Sequence, residues 1–287
     1  MTSQRQSIAD ALKQASRTLR KIAADGARLE AELLLTNVLD KARSYLFAWP
    51  EQELTSDQLN RFKTLINQRL DGRPIAYITG KREFWSLEFK VTPDTLIPRP
   101  DTETLVERAL ELIPSDATFH IADIGTGSGA IAAAVASERP LTRITASDKS
   151  TTALAVAKGN FKQLNLPNIR AAEGHWCHAL TEGERFHLIL SNPPYIPESD
   201  PHLERDGLPW EPQKALTAGV DGLDDIRQII DQTPQHLQDG GRLLLEHGPD
   251  QGSAVRQLMR DGDFQDVVTH RDLGDRERVT EGKKLRS

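Results

Sequence analysis

Four residues, Asn192-Pro193-Pro194-Tyr195, follow directly on the apolar run Phe186-His187-Leu188-Ile189-Leu190-Ser191. Proline has no backbone N–H and a fixed φ, so a strand that meets two prolines cannot continue its ladder. What remains is a stiff turn whose carbonyl oxygens are free to accept. Asn192 adds a side-chain amide with its own acceptor and donors, and Tyr195 adds an aromatic wall. The set fits a planar nitrogen flanked by N–H bonds, either the amide of glutamine or the exocyclic amine of a nucleobase. An ordinary proline turn closing a strand is the plainer alternative.

A second cluster lies upstream. Phe119-His120-Ile121-Ala122-Asp123-Ile124 reads as a short buried strand, Gly125-Thr126-Gly127-Ser128-Gly129 as a turn, and Ala130 to Ala136 as a helix. Glycines at such a turn let a ligand approach the main chain closely. A further strand, Arg143 to Ser147, ends at Asp148, where a carboxylate can accept from both hydroxyls of a ribose. Gly125, Gly127 and Ala130 also satisfy the G-x-G-x-x-G/A dinucleotide pattern, so an NAD enzyme is a rival on these residues alone.

Taken together and in this order, the two clusters resemble an amino-methylating, S-adenosylmethionine-dependent methyltransferase. The likeness extends outward through RLDGRPIAYITG (Arg69 to Gly80), Glu83-Phe84-Trp85, Leu96-Ile97-Pro98-Arg99-Pro100-Asp101-Thr102-Glu103, Glu246-His247-Gly248 and Asp272-Leu273-Gly274-Asp275-Arg276-Glu277-Arg278-Val279. All of these resemble the bacterial release-factor glutamine methyltransferase family, PrmC or HemK, over nearly the whole chain. The resemblance implies methyl transfer from S-adenosylmethionine to the N5 amide nitrogen of a glutamine in peptide chain release factors, modulating translation termination. It implies a Rossmann-like α/β methyltransferase sheet with a small N-terminal helical domain that contacts the protein substrate.

Transfer from a sulfonium is an in-line displacement, so the enzyme must chiefly align acceptor nitrogen, methyl carbon and sulfur. Asn192 and the Pro193 carbonyl are expected to accept from the two amide N–H bonds and favour charge developing on nitrogen. Pro194 stiffens the turn, and Tyr195 packs on the amide plane. Gly125, Gly127 and Gly129, with Thr126 and Ser128 between them, are expected to bind the cofactor along its methionine part, Asp148 its ribose, and Asn192 to border both ligands. Asp123 orients the loop. In the family the position of Trp176 stacks on adenine; a core tryptophan is the plain alternative. Here the sequence departs from the pattern, with His175 where the family commonly has Asp and Cys177 where a larger residue is common. Arg99 is either a substrate or cofactor contact or a surface ion-pair partner. His247 is not needed as a base, and no metal-ligand spacing appears among the eight histidines.

Around these residues, 1–72 read as helices: Ile8, Leu12 and Leu19 make one apolar face, Ala31, Leu34, Leu35 and Val38 another, Leu59, Phe62, Leu65, Ile66 and Leu70 a third. Ser56 marks a helix start. Residues 73–100 read as a β-hairpin linker, and 101–287 as the catalytic domain, with alternating helices and strands that predict a parallel sheet closed by an antiparallel edge hairpin. The strands are expected at 119–124, 143–147, 169–172, 186–191, 242–246, 265–270 and near 278–281, and the polar segment 197–224 as a lid, a binding loop or a disordered stretch. The formal charge of −6 over 287 residues weighs against direct DNA binding, as does the absence of aromatic-basic interleaving for a flipped base. One cysteine excludes an internal disulfide framework. No long apolar stretch occurs, so a cytoplasmic protein without membrane contact is expected. A cofactor-binding scaffold with a dead site is disfavoured by the intact Asn192 to Tyr195.

Overall fold

The computed structural model describes residues 6–205 and 207–285; the outermost residues of the expected first and last domains, 1–5 and 286–287, lie outside them. The chain divides into two compact units, Met1–Lys81 with Glu204–Trp210, and Arg82–Leu203 with Glu211–Ser287.

In the first unit, strands β1 (Gln6–Ser7) and β2 (Glu53–Leu54) pair antiparallel beside helices α1 (Ile8–Leu19), α2 (Ala27–Leu39), α3 (Arg43–Ala48), α4 (Ser56–Leu70) and α5 (Ile75–Thr79). The three apolar faces read from the sequence meet in one core of Ile8, Leu12, Leu19, Leu34, Leu35, Phe62 and Ile66. Helix α4 does begin at Ser56, but its cap is Thr55, which exchanges hydrogen bonds with Gln58 in a capping box. Helix α3 escapes periodicity because only Leu46 on it is buried. An ion pair from Arg43 to the buried Glu32 of α2, which Arg28 also meets, ties it down.

The stretch expected to be all hairpin starts with a helical turn instead. Pro74, at φ −58°, opens α5, and Gly80, at φ 73°, closes it. The hairpin proper is β3 (Lys81–Phe84) and β4 (Leu87–Lys90), with Trp85 and Ser86 between them at φ 53° and 57°. A two-residue turn with both φ positive matches strand twist but normally uses Asn and Gly. Here Glu103 accepts from the Trp85 backbone N–H at 3.2 Å and Glu138 from its indole at 3.0 Å.

The second unit is built on seven strands in the order β10-β11-β9-β8-β5-β6-β7. After α6 (Glu103–Leu112) come β5 (His120–Ile124), α7 (Ala130–Glu138), β6 (Arg143–Asp148), α8 (Thr151–Gln163), β7 (Ile169–Glu173), β8 (Phe186–Ser191), α9 (Asp224–Gln232), β9 (Leu237–Glu246), α10 (Gly252–Asp261), β10 (Phe264–Arg271) and β11 (Glu277–Lys284). Strands β5 to β9 run parallel, and β11 enters antiparallel between β9 and β10. The expected antiparallel hairpin is thus present, with its second strand inside the sheet. Helices cover both faces, so the inner strands are apolar on both. Leu188 and Leu190 join the cluster under α6 and α7, while Phe186 and Ile189 join that under α9 and α10.

Glu281 of β11 fixes this arrangement electrostatically. It is 2% exposed and accepts from Arg108 of α6 at 2.8 and 2.9 Å and from Arg242 of β9 at 3.0 Å. Burial alone would raise its pKa, but the His270 ring 3.7 Å away, the hydrogen bonds from Arg108 and the charges of both arginines outweigh it and hold the carboxyl at about 2. A group depressed in the folded state contributes stability above its unfolded pKa of about 4.3 and loses it as pH falls toward about 2. Glu281→Gln is therefore expected to cost about 2–3 kcal/mol at neutral pH. It should also flatten the acid limb of the stability curve below about pH 4, as read by denaturant unfolding at a series of pH values.

Candidate active site

The chain runs outward from β5 through β6 to β7 and then returns to the other side of β5 with β8. Strands β5 and β8 therefore flank the point where the order reverses, and ligands in open α/β sheets bind at the carboxyl ends of such strands. The hydroxyl of Ser191 donates to the Ile124 carbonyl at 2.6 Å, which locks the two strand ends together. The loops 125–129 and 192–195 leave the sheet side by side. They border a cavity of about 670 Å³ that Gly125, Thr126, Gly127, Ser128, Asp148, Trp176, Asn192 and Pro194 all line. That volume suits a cofactor-sized ligand.

The glycine loop is held by acceptors on three sides. The N–H groups of Gly125 and Thr126 both reach the Ser147 carbonyl at 2.8 Å. Asp123, buried at the end of β5, accepts from the Thr126 hydroxyl at 2.6 Å and the Ala132 N–H at 3.1 Å. Burial, with a smaller push from the charge of Asp148, raises its pKa to about 7. It orients the loop, as the sequence suggests. Asp148 accepts from the Gly127 N–H at 2.9 Å and the Ser150 N–H at 2.8 Å. Each oxygen keeps a further lone pair for a ligand hydroxyl. From behind, the buried Asn160 donates to the Ser128 carbonyl at 2.8 Å and exchanges hydrogen bonds with Lys90 of β4.

Beside this loop, Asn192 donates from Nδ2 to the Thr102 hydroxyl oxygen at 3.2 Å. Its own carbonyl oxygen is thereby left as the free end of the amide. Pro193 is buried. The ring of Tyr195 packs against the core cluster of β9 and α9, and its hydroxyl donates to Glu246 Oε1 at 3.3 Å. Burial raises the Tyr195 pKa further from neutrality, aided by the Glu246 charge. Glu246 itself is wholly buried. Burial lifts its pKa to about 7 against the opposing effects of the nearby Thr102 hydroxyl, the Arg278 charge and the Tyr195 hydroxyl.

Trp176 is 5% exposed at φ 48°, with its indole N–H on Asp225 at 3.1 Å and Lys149 Nζ 5.8 Å from its ring. A Cβ on Gly125 would sit 2.8 Å from that ring, so loop and tryptophan are in close contact. His175 also lines the cavity, its pKa lowered by burial and then by Lys149, so a neutral ring faces the ligand space. Cys177 is buried and its thiol pKa is pushed up to about 11 by burial, which makes it an inert packing residue. Arg99 lines the cavity and also pairs with the buried Glu211, whose other oxygen accepts from the Ile97 N–H at 3.0 Å. The two imidazole nitrogens of the buried His247 are engaged by the Gly248 carbonyl and the Thr280 hydroxyl, both at 2.8 Å.

Two residues that matter here carry no role in the sequence reading. Glu211 anchors the polar loop so that Pro212 to Ala215 form a cavity wall; its only signal was an acid between Trp210 and Pro212. Thr102 sits at the start of α6, in a motif noticed for its likeness alone.

The loop glycines differ in a way that can be measured. Gly127, at φ 55°, has nothing within 4 Å of a built Cβ, whereas one on Gly129, at φ 85°, would lie 2.4 Å from the Phe161 ring. Left-handed backbone alone costs an L-residue about 1–2 kcal/mol. Gly127→Ala is expected to lower stability by about that amount, and Gly129→Ala by at least about 1 kcal/mol more for the overpacking. Chemical denaturation of the unliganded variants checks the difference.

Comparison with known proteins bears on the family and the fold. Residues 10–80 match the family model of the PrmC N-terminal domain and residues 102–204 that of the methyltransferase small domain. The chain is 52% identical over 257 residues to the release factor glutamine methyltransferase of Pseudomonas aeruginosa, covering 90% of this chain and 92% of the relative. It is 48% identical over 261 residues to that of Escherichia coli K12, covering 91% and 94%. Among solved structures, a T. thermophilus 16S rRNA methyltransferase in complex with AdoMet and guanosine superposes with a TM-score of 0.53 at 17% identity, over 71% of this chain and 49% of that one; this shows a shared fold. Identity at this level across nine-tenths of the chain places it in the release factor glutamine methyltransferase family.

Proposed function

We propose that this chain transfers a methyl group from S-adenosylmethionine to the side-chain amide nitrogen, N5, of a glutamine in peptide chain release factors. The product modulates translation termination, and the work is done in the cytoplasm. No helix among the described residues is long and apolar enough to cross a membrane. The observation that carries the chemical reading is the orientation of Asn192. Its N–H end is held by Thr102, so its acceptor end is presented at the cavity that the glycine loop and Asp148 also line.

The residues fit the cofactor. Asp148 is fixed by two backbone donors and still has acceptor capacity. Gly127 leaves open space beside it, and Trp176 and His175 supply flat walls. Bound there, S-adenosylmethionine supplies an electrophilic methyl group. The protein contributes alignment and fixed acceptors. An amide lone pair is delocalised, so acceptors on its N–H bonds matter most as charge builds on nitrogen; Asn192 Oδ1 and the Pro193 carbonyl are assigned that work. Pro193 and Pro194 hold these atoms still, and Tyr195, packed into the core and tied to Glu246 rather than lining the cavity as the aromatic wall expected on the amide plane, supports the turn from behind.

A single glutamine amide offers few hydrogen bonds, so further recognition must come from elsewhere on the release factor. Residues 1–72 are assigned part of it, and Phe47 and Trp49, each 59% exposed, are the most exposed of the large apolar side chains described there, ahead of Ile22, Leu29 and Leu33.

Asn192→Ala is expected to lower the transfer rate by about 10²–10³ with cofactor affinity nearly unchanged. Labelled cofactor offered with purified release factors, a ribosomal protein and DNA in parallel measures it. Transfer to DNA in preference to release factors would refute the substrate assignment. Calorimetry on Asp148→Ala should show weakened S-adenosylmethionine binding. The double variant Phe47→Ala, Trp49→Ala should lose more activity on an intact release factor than on a short glutamine peptide; equal losses would remove the recognition role.

A further inference from the structure

Pro193 and Pro194 have no N–H to give, and the Pro193 carbonyl is reserved for the substrate. The turn therefore depends on anchors at its two ends. At its start, the Ser191 hydroxyl is fastened to the Ile124 carbonyl. Its exit is fastened from a distant part of the chain. Gln251 stands at the N-cap position of α10 but makes no side-chain bond to its own helix. Its Oε1 accepts from the Gly248 N–H at 2.9 Å, and its Nε2 donates to the Tyr195 carbonyl at 2.9 Å and the Asp221 carbonyl at 3.2 Å. The Gly248 donor decides which end of the amide is which, because only the oxygen can meet it.

The neighbouring backbone is shaped around this amide. A Cβ on Gly222, at φ 74°, would lie 2.2 Å from the Tyr195 carbonyl oxygen and 2.9 Å from Gln251 Nε2. Glycine thus lets two carbonyls from separate segments converge on one NH2 group. Directly beyond Tyr195, the Ile196 N–H meets the Leu216 carbonyl at 2.9 Å and the Glu198 N–H the Gly219 carbonyl at 3.0 Å. The polar loop accordingly leaves and returns through a closed neck, and Gln251 clasps that neck to the end of the Asn192–Tyr195 turn.

We infer that Gln251 is a positioning residue for methyl transfer. By holding the Tyr195 carbonyl it fixes the exit of the turn, and with it the direction in which Asn192 and the Pro193 carbonyl accept from the substrate. The inference rests on the reading of those two acceptors as the partners of the glutamine N–H bonds. Gln251, Gly248 and Asp221 all stand outside the lining of the cavity, so Gln251 acts through the backbone and touches neither ligand. The position asks for one acceptor and two donors in a fixed order, which a neutral amide supplies. A carboxylate there keeps the Gly248 bond but sets an anion against two carbonyl oxygens. A thioether has no hydrogen to donate. Since misplacing a reacting group by about 1 Å costs about 10²-fold in rate, loosening this exit is felt in the chemical step before it is felt in binding.

With a short glutamine peptide as acceptor, kcat per S-adenosylmethionine site should fall about 10²-fold in both Gln251→Glu and Gln251→Met. The peptide KM and the cofactor affinity should stay close to wild type. Hydrogen exchange followed by mass spectrometry gives a signal independent of activity. The Ile196 and Glu198 N–H groups should exchange faster in both variants, while those of Gly125 and Thr126, bonded to the Ser147 carbonyl, keep their wild-type rates. Full activity in Gln251→Glu beside a weakened Gln251→Met would assign the effect to the Gly248 bond and overturn the inference. Wild-type kcat in both variants would overturn it too. So would activity and S-adenosylmethionine sites lost in equal proportion, the mark of a fold that is only less stable, or exchange at Ile196 indifferent to both substitutions. An active Asn192→Ala would instead overturn the catalytic reading on which this one stands.

Discussion

The second unit turns on one interruption. Strand β8 lies in the middle of the sheet, hydrogen-bonded on both sides, and two prolines directly after Asn192 forbid it to go further. A central strand that stops abruptly opens a crevice between its neighbours, and the glycine turn after β5 opens the same crevice from the other side. The Ser191 bond to Ile124 makes the two endings one object. Acceptor and cofactor loops are thus placed by backbone chemistry, before any specific side chain is considered.

Behind that crevice the structure concentrates charge. Asp101, Glu246 and the pair Asp272 and Arg278 come from three separated parts of the chain and meet as a partly buried network. A buried ion group of this kind adds little net stability. Its cost is reasonable where orientation is the product, as at a site whose catalysis consists of holding an acceptor still. The same contrast separates the unit's two kinds of buried acid. Glu281, surrounded by arginines, is held ionised far below neutrality, whereas Asp123 and Glu246, with fewer compensating charges, are raised to about 7.

Much of this was legible from residue order. Strand-glycine-helix and strand-asparagine-proline patterns each carry their own physics, and apolar periodicity found helices α1, α2 and α4. What escaped depends on contacts distant in sequence. Helix α3 is kept by an ion pair to Glu32 rather than by an apolar stripe. Helix α5 opens the stretch expected to be hairpin, begun by Pro74 at its N-cap and ended by Gly80 in the left-handed region. The pairing of Arg99 with Glu211, more than a hundred positions later, could not be read from residue order. The polarity of Asn192 was equally invisible, because it is written on Thr102 rather than on Asn192 itself.

The placement of β11 has a consequence for how the chain reaches this state. It is the last strand of the sheet to be synthesised, yet it sits between β9 and β10 rather than at an edge. Until it arrives, the long apolar strand β9 presents a bare row of backbone donors and acceptors, the kind of edge that recruits other chains. Residues 277–284 are therefore both a supplier of Arg278 and a guard against aggregation. Slow or faulty insertion of this one segment would leave a nearly finished sheet that is sticky, inactive and a natural client for chaperones.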